Sequence, residues 1–131
     1  TSGLTEPHEF WYFWRNFFEF PEIPTDNKTF AEKANFYNFQ QDIYKFQQVY
    51  QKPFFLKSLI MNWYIEPFSQ NLEKPIFIYI KRDPIANMGS LLQTRERYLG
   101  NKDFWFSFKP REYATIEIKY SYTQVAGQVC F

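Results

Sequence analysis

Residues 75–80, Pro-Ile-Phe-Ile-Tyr-Ile, run without a charge into Lys81, Arg82, Asp83 and Pro84, and this junction restricts the fold more than any other stretch. A short, wholly apolar run rich in β-branched and aromatic side chains predicts a buried strand. Asp83 then offers an N-cap, and Pro84 the pre-set backbone angle of a first helical position. Ile85, Met88, Leu92 and Leu99 recur near helical spacing as far as Gly100, which predicts a helix over 84–99. Upstream, Phe54 to Ser58 reads as a second short buried strand. About 17 residues separate it from Ile76, helical in length, with Pro67 starting, kinking or splitting the helix. Strand, crossover and strand at this spacing predict a βαβ unit with parallel strands and a right-handed connection. The expected class is therefore α/β.

In such a fold Arg82 closes a strand at its carboxyl end, where open α/β sheets place their ligands. Ser90 lies two turns into the next helix, on the face shared with Asp83, Ala86 and Asn87. A guanidinium and a hydroxyl so placed can grip one tetrahedral anion, with two N–H bonds from Arg82 and one O–H bond from Ser90. The plainer alternative is a strand–helix junction whose arginine pairs with a surface carboxylate.

The rest of the chain bounds the function classes. At 131 residues it has the size of one domain. Its 17 Phe, 10 Tyr and 4 Trp are an apolar payload suited to a core or to stacking surfaces. With 15 basic and 14 acidic side chains the charge is balanced, which gives no electrostatic footprint for nucleic acid, although Lys81, Arg82, Arg95 and Arg97 can cluster locally. Cys130 and His8 are the only residues of their kinds, so neither an internal disulfide nor an ordinary Cys/His zinc site is possible. That usage fits a cytoplasmic setting. Lys57 interrupts the longest apolar stretch, so no membrane span is expected, and nothing at the amino end resembles a signal peptide. A chain that opens without methionine and ends inside an apolar pattern suggests a piece of something longer.

Other elements follow from local signals. Phe10 to Phe20 reads as a short helix and Pro21 to Asn27 as a loop. Thr29-Phe30-Ala31-Glu32 has capping-box form, and Phe36, Phe39, Ile43, Phe46 and Tyr50 continue it as an amphipathic helix of about five to six turns. Asn101 to Tyr120 reads as aromatic-rich loop, and Ser121 to Gln124 caps a last helix of about two turns. Trp11, Tyr12, Phe13 and Trp14 read as core in preference to a pocket lining.

An arginine closing a strand and a serine eight positions later on the next helix resembles the 3′-phosphate-binding segment of sulfotransferases. Arg95 to Gly100, Trp105 to Pro110, Glu112-Tyr113, Glu6 to Phe10 and Gln124 to Gln128 resemble a bacterial branch of that family. The matches spread over most of the chain, and they imply a partial P-loop-like three-layer domain with flanking helices. They also imply 3′-phosphoadenosine 5′-phosphosulfate as cosubstrate, no metal, and transfer of a sulfuryl group to a hydroxyl or amine of a small molecule or carbohydrate. Arg82 and Ser90 would then hold the 3′-phosphate. The base would come from Glu6 or His8, with Glu9 beside them, since two carboxylates flanking an imidazole shift one another toward neutral pH. Lys57 matches a lysine that precedes the catalytic histidine in many family members. Ser58 and Leu59 follow here, which leaves Lys57 as a candidate anion ligand and not a base partner. Lys109 is a further candidate for the anion, and Arg97 for supporting Ser90 across the helix, against ordinary surface roles. The family's glycine-rich loop for the 5′-phosphosulfate has no counterpart in these residues and would precede Thr1. The alternative is a degenerate, non-catalytic relative kept as a nucleotide- or carbohydrate-binding module.

Overall fold

The computed structural model describes residues 11–130, the Ile60 side chain excepted, and among these residues there are helices and no strand. Of the described residues, 11–21 and 25–76 form one compact unit, and 22–24 and 77–130 form another.

The first unit holds α1 (Trp11–Arg15), α2 (Asn27–Lys33), α3 (Phe36–Tyr50), a 3-10 turn at Ile60–Trp63 and α4 (Ile65–Asn71). Its core is almost wholly aromatic: Trp14, Phe17, Phe18, Phe30, Phe36, Phe39, Tyr64 and Phe68 are all buried together. Trp14 stacks on Phe39 at 5.3 Å, Phe18 meets Phe68 edge-on at 4.9 Å, and Phe30 lies flat on Tyr64 at 3.7 Å. Offset and edge-on pairs of this kind add to the gain from burial itself. Tyr64 keeps its hydroxyl satisfied by accepting the Thr25 backbone N–H at 3.0 Å.

The local start of α2 differs from the expected capping box. Asp26, not Thr29, is the cap: its carboxylate accepts the Thr29 N–H at 2.9 Å and the Thr29 hydroxyl at 2.7 Å. The long helix is also two helices, broken at Ala34 and restarted by Asn35, whose side chain accepts the Asn38 N–H at 3.1 Å. Phe30 and Phe36 explain the break. Six residues apart, they would point about 120° apart on one continuous helix, yet both are buried in the same core. α3 ends on Gln51 in the left-handed region, with Pro53 two residues beyond.

The α/β expectation is overturned. Phe54 to Ser58 and Ile76 to Lys81 form no ladder, so there is no βαβ unit and no three-layer sheet domain among the described residues. The segment between them is no crossover helix either. It holds the 3-10 turn and the seven-residue α4, in which Pro67 occupies the first turn, where a missing N–H leaves no bond unmade. An apolar run specifies what a strand would bury but not which neighbour takes its N–H and C=O groups, and for Ile76 to Ile80 none does among the described residues. Ile76, Phe77, Ile78, Tyr79 and Ile80 are exposed instead of buried.

The second unit matches its sequence closely at α5 (Pro84–Leu99). Asp83 accepts the Ala86 N–H at 2.8 Å, Pro84 opens the helix, and Gly100 at φ +70° closes it on the Glu96 carbonyl. A four-residue turn, α6 (Tyr113–Ile116), and a ten-residue helix, α7 (Ser121–Cys130), complete the unit. α7 packs along α5 and α6, with Ile116 and Val125 buried. Among the described residues no helix is long and apolar enough to cross a membrane.

Candidate functional site

Arg82 lies in the irregular stretch directly ahead of α5, and its guanidinium is exposed. Without a strand before it, the sheet-edge reason for a ligand there is gone. What remains is a helix start. Ser90 is exposed on the face of α5 that also carries Asp83, about 10 Å along the axis from the cap. Among the described residues neither the Arg82 nor the Ser90 side chain makes a hydrogen bond or ion pair; only the Ser90 carbonyl is engaged, by the Thr94 hydroxyl at 2.8 Å. The Asp83 carboxylate already serves the first turn, and beside the cap Lys81 and Arg82 together outweigh that single negative charge.

The other candidates scatter. Lys57 is exposed and belongs to the first unit, whereas Arg82 and Ser90 belong to the second. Glu6, His8 and Glu9 lie outside the described residues. Trp14 is fully buried and Phe13 half-buried against Phe17, Phe39 and Phe46, so this end of the aromatic cluster is core. Lys109 bonds Glu22 and sits 4.1 Å from the Tyr113 ring centre, and the Glu22 bond holds its ammonium above the ordinary lysine range. Arg97 lies over the Tyr98 ring at 5.5 Å and makes no contact with Ser90.

Arg95 does not join a surface cluster of cations. It is fully buried, and its guanidinium is the centre of the second unit. One terminal nitrogen donates to the Gln124 side-chain oxygen at 2.7 Å and to the Lys102 carbonyl at 3.1 Å; the other donates to the Gln128 oxygen at 3.1 Å. Its Cζ lies over the Trp105 ring, 5.1 Å from the ring centre. The two glutamines then turn their amides the other way. Gln124 donates to the Glu117 and Lys119 carbonyls, and Gln128 to those of Phe106 and Phe108. Burial lowers the guanidinium's proton affinity, while the negative charge of Asp103 opposes that shift. A guanidinium stays protonated in proteins all the same, so a full charge is held here by neutral acceptors.

Three segments that carry the sulfotransferase resemblance, 95–100, 105–110 and 124–128, thus interlock at one point. The sequence contains a signal for it. Arg95 stands on the Met88–Leu92–Leu99 stripe of α5, where an apolar residue is expected, and Gln124 and Gln128 lie one turn apart.

No protein-family model matches the chain, and no curated protein or solved structure is significantly similar to it.

Proposed function

We propose that this chain is the nucleotide-holding part of a sulfotransferase, with Arg82 and Ser90 gripping the 3′-phosphate of 3′-phosphoadenosine 5′-phosphosulfate. The observation that carries the reading is a pair of exposed polar groups along one helix, both unengaged among the described residues. Arg82 precedes the Asp83 cap, and Ser90 stands two turns further along the same face. The meeting of three family-like segments around Arg95 supports it, because those segments then serve one architecture and are not scattered coincidences. Arg82 supplies a forked, charge-assisted pair of bonds and Ser90 a single hydroxyl bond. The acceptor is a hydroxyl or amine of a small molecule or carbohydrate.

Calorimetry with adenosine 3′,5′-bisphosphate tests this directly. Arg82→Ala should weaken binding by about 2–3 kcal/mol and Ser90→Ala by about 1 kcal/mol. Binding of adenosine 5′-phosphate, which lacks the 3′ group, should not respond to either change. Equal affinity of wild type and Arg82→Ala for the bisphosphate refutes the assignment.

A further inference from the structure

Ile76 to Ile80 is the longest unbroken run of large exposed apolar side chains among the described residues, each between 44% and 88% exposed. It lies where the chain passes from the first unit to the second, in a stretch from Pro75 to Asp83 with no helix, turn or bend. None of its backbone N–H or C=O groups is hydrogen-bonded among the described residues. Five residues of high strand propensity, without charge, proline or glycine, and with a free main chain, are a template for pairing with another strand.

We propose that this segment pairs antiparallel with the same segment of a second copy of the chain. Three observations select a second copy. The segment is neutral, so two of them meet without repulsion, and its cations stand outside it at Lys74, Lys81 and Arg82. Side chains alternate in kind: Ile76, Ile78 and Ile80 line one face of an extended chain, and Phe77 and Tyr79 the other. The run is also a palindrome in kind. A two-fold ladder centred on Ile78, in which the two Ile78 residues exchange both main-chain bonds, sets Phe77 opposite Tyr79 and Ile76 opposite Ile80, so each apolar side chain of one copy meets one of its own kind on the other. Lys74, at φ +51°, turns the chain out of the extended run, so the ladder ends before its charge is set against that of Arg82. Centring the ladder on Tyr79 or on Phe77 instead sets Phe77 against Lys81 or Ile80 against Lys74, so self-complementarity chooses the register.

The full chain is examined by light scattering across a hundredfold concentration range, with hydrogen exchange read at Ile78 and Ile80, whose N–H groups face the ladder. Mass should rise with concentration, and exchange at these amides should slow at least tenfold as it does. Ile78→Pro removes a ladder N–H, and Ile78→Lys places a charge within the run; both should keep the chain at single-chain mass with unchanged helical circular dichroism. Tyr120→Lys, at an equally exposed site elsewhere, should associate as wild type does. A single-chain mass at every concentration overturns the proposal. So does protection at Ile78 and Ile80 that ignores concentration, which would mean that the chain covers its own segment. Association of Ile78→Pro at the wild-type concentration assigns the contact to another surface and overturns it equally.

Discussion

Replacing Gln124 by leucine tests whether the Arg95 charge is the organising feature of the second unit. The substitution keeps the volume and removes the oxygen that accepts from Arg95 at 2.7 Å. Among the described residues the guanidinium already has one N–H, on Nε, without a partner, so a second bare donor would be left beside it in a fully buried place. A hydrogen bond to a charged group contributes about 1.5–3 kcal/mol. The Glu117 and Lys119 carbonyls also lose their donor, but these residues are exposed and water replaces it at small cost. The expected loss is therefore about 2–4 kcal/mol. The double variant Arg95→Met/Gln124→Leu separates causes. Methionine removes the charge whose desolvation made the missing acceptor expensive, so the pair should lose less than the sum of its single changes, by about 1–3 kcal/mol. Urea unfolding followed by the 19F signal of fluorotryptophan at Trp105 reads the second unit specifically, since the other three tryptophans, Trp11, Trp14 and Trp63, belong to the first. A Gln124→Leu loss below about 0.5 kcal/mol, or strict additivity in the double variant, refutes the reasoning.

Further outcomes follow from the glycines and the titrating groups. A Cβ at Gly89 meets nothing within 4 Å, so Gly89→Ala should stabilise α5 by about 0.5–1 kcal/mol. At Gly127 the same atom comes to 3.1 Å from both Cδ1 and Cγ2 of buried Ile116, which must give by a few tenths of an ångström, so Gly127→Ala should gain less than Gly89→Ala; thermal melts of both variants check the contrast. Asp26 is held below the ordinary carboxylate value chiefly by the Thr29 N–H, so its contribution is present above that value and lost as pH falls through the lower folded one. Asp26→Asn keeps an acceptor and should remove this acid sensitivity from melts taken across the acid range. Tyr44 is raised above its ordinary value, first by its bond to Glu73, so its contribution is present below that value and lost as pH rises past the folded one. The melting difference between wild type and Tyr44→Phe should shrink in alkaline buffer.

Helix signals were legible wherever the information was local. Asp83, Pro84 and Gly100 bound α5 to the residue because a cap, a missing N–H and a left-handed φ are each decided within one turn. The start of α2 shows where local reading becomes ambiguous. Asp26 and Thr29 both stand three residues before a side chain or amide they can cap, and the choice falls to Asp26 because Phe30 must enter the aromatic core. Strands are a harder case in principle. Ile76 to Ile80 has the composition of a strand, yet a strand exists only when a neighbour accepts its main chain, and no local pattern names that neighbour. The misreading there also changed the meaning of Arg82, from a group at a sheet edge to one at a helix start, without moving it in the sequence. Arg95 went unread for the opposite reason. A cation on an apolar stripe reads as surface until its acceptors are known, and those are two glutamines 29 and 33 residues away. If those glutamines hold the charge, the interior of this unit is organised by polar saturation more than by apolar volume, since only Ile116 and Val125 are its buried large apolar side chains among the described residues. A unit so built tolerates exchange of one aliphatic side chain for another better than loss of one side-chain amide, the reverse of what the aromatic core of the first unit would tolerate.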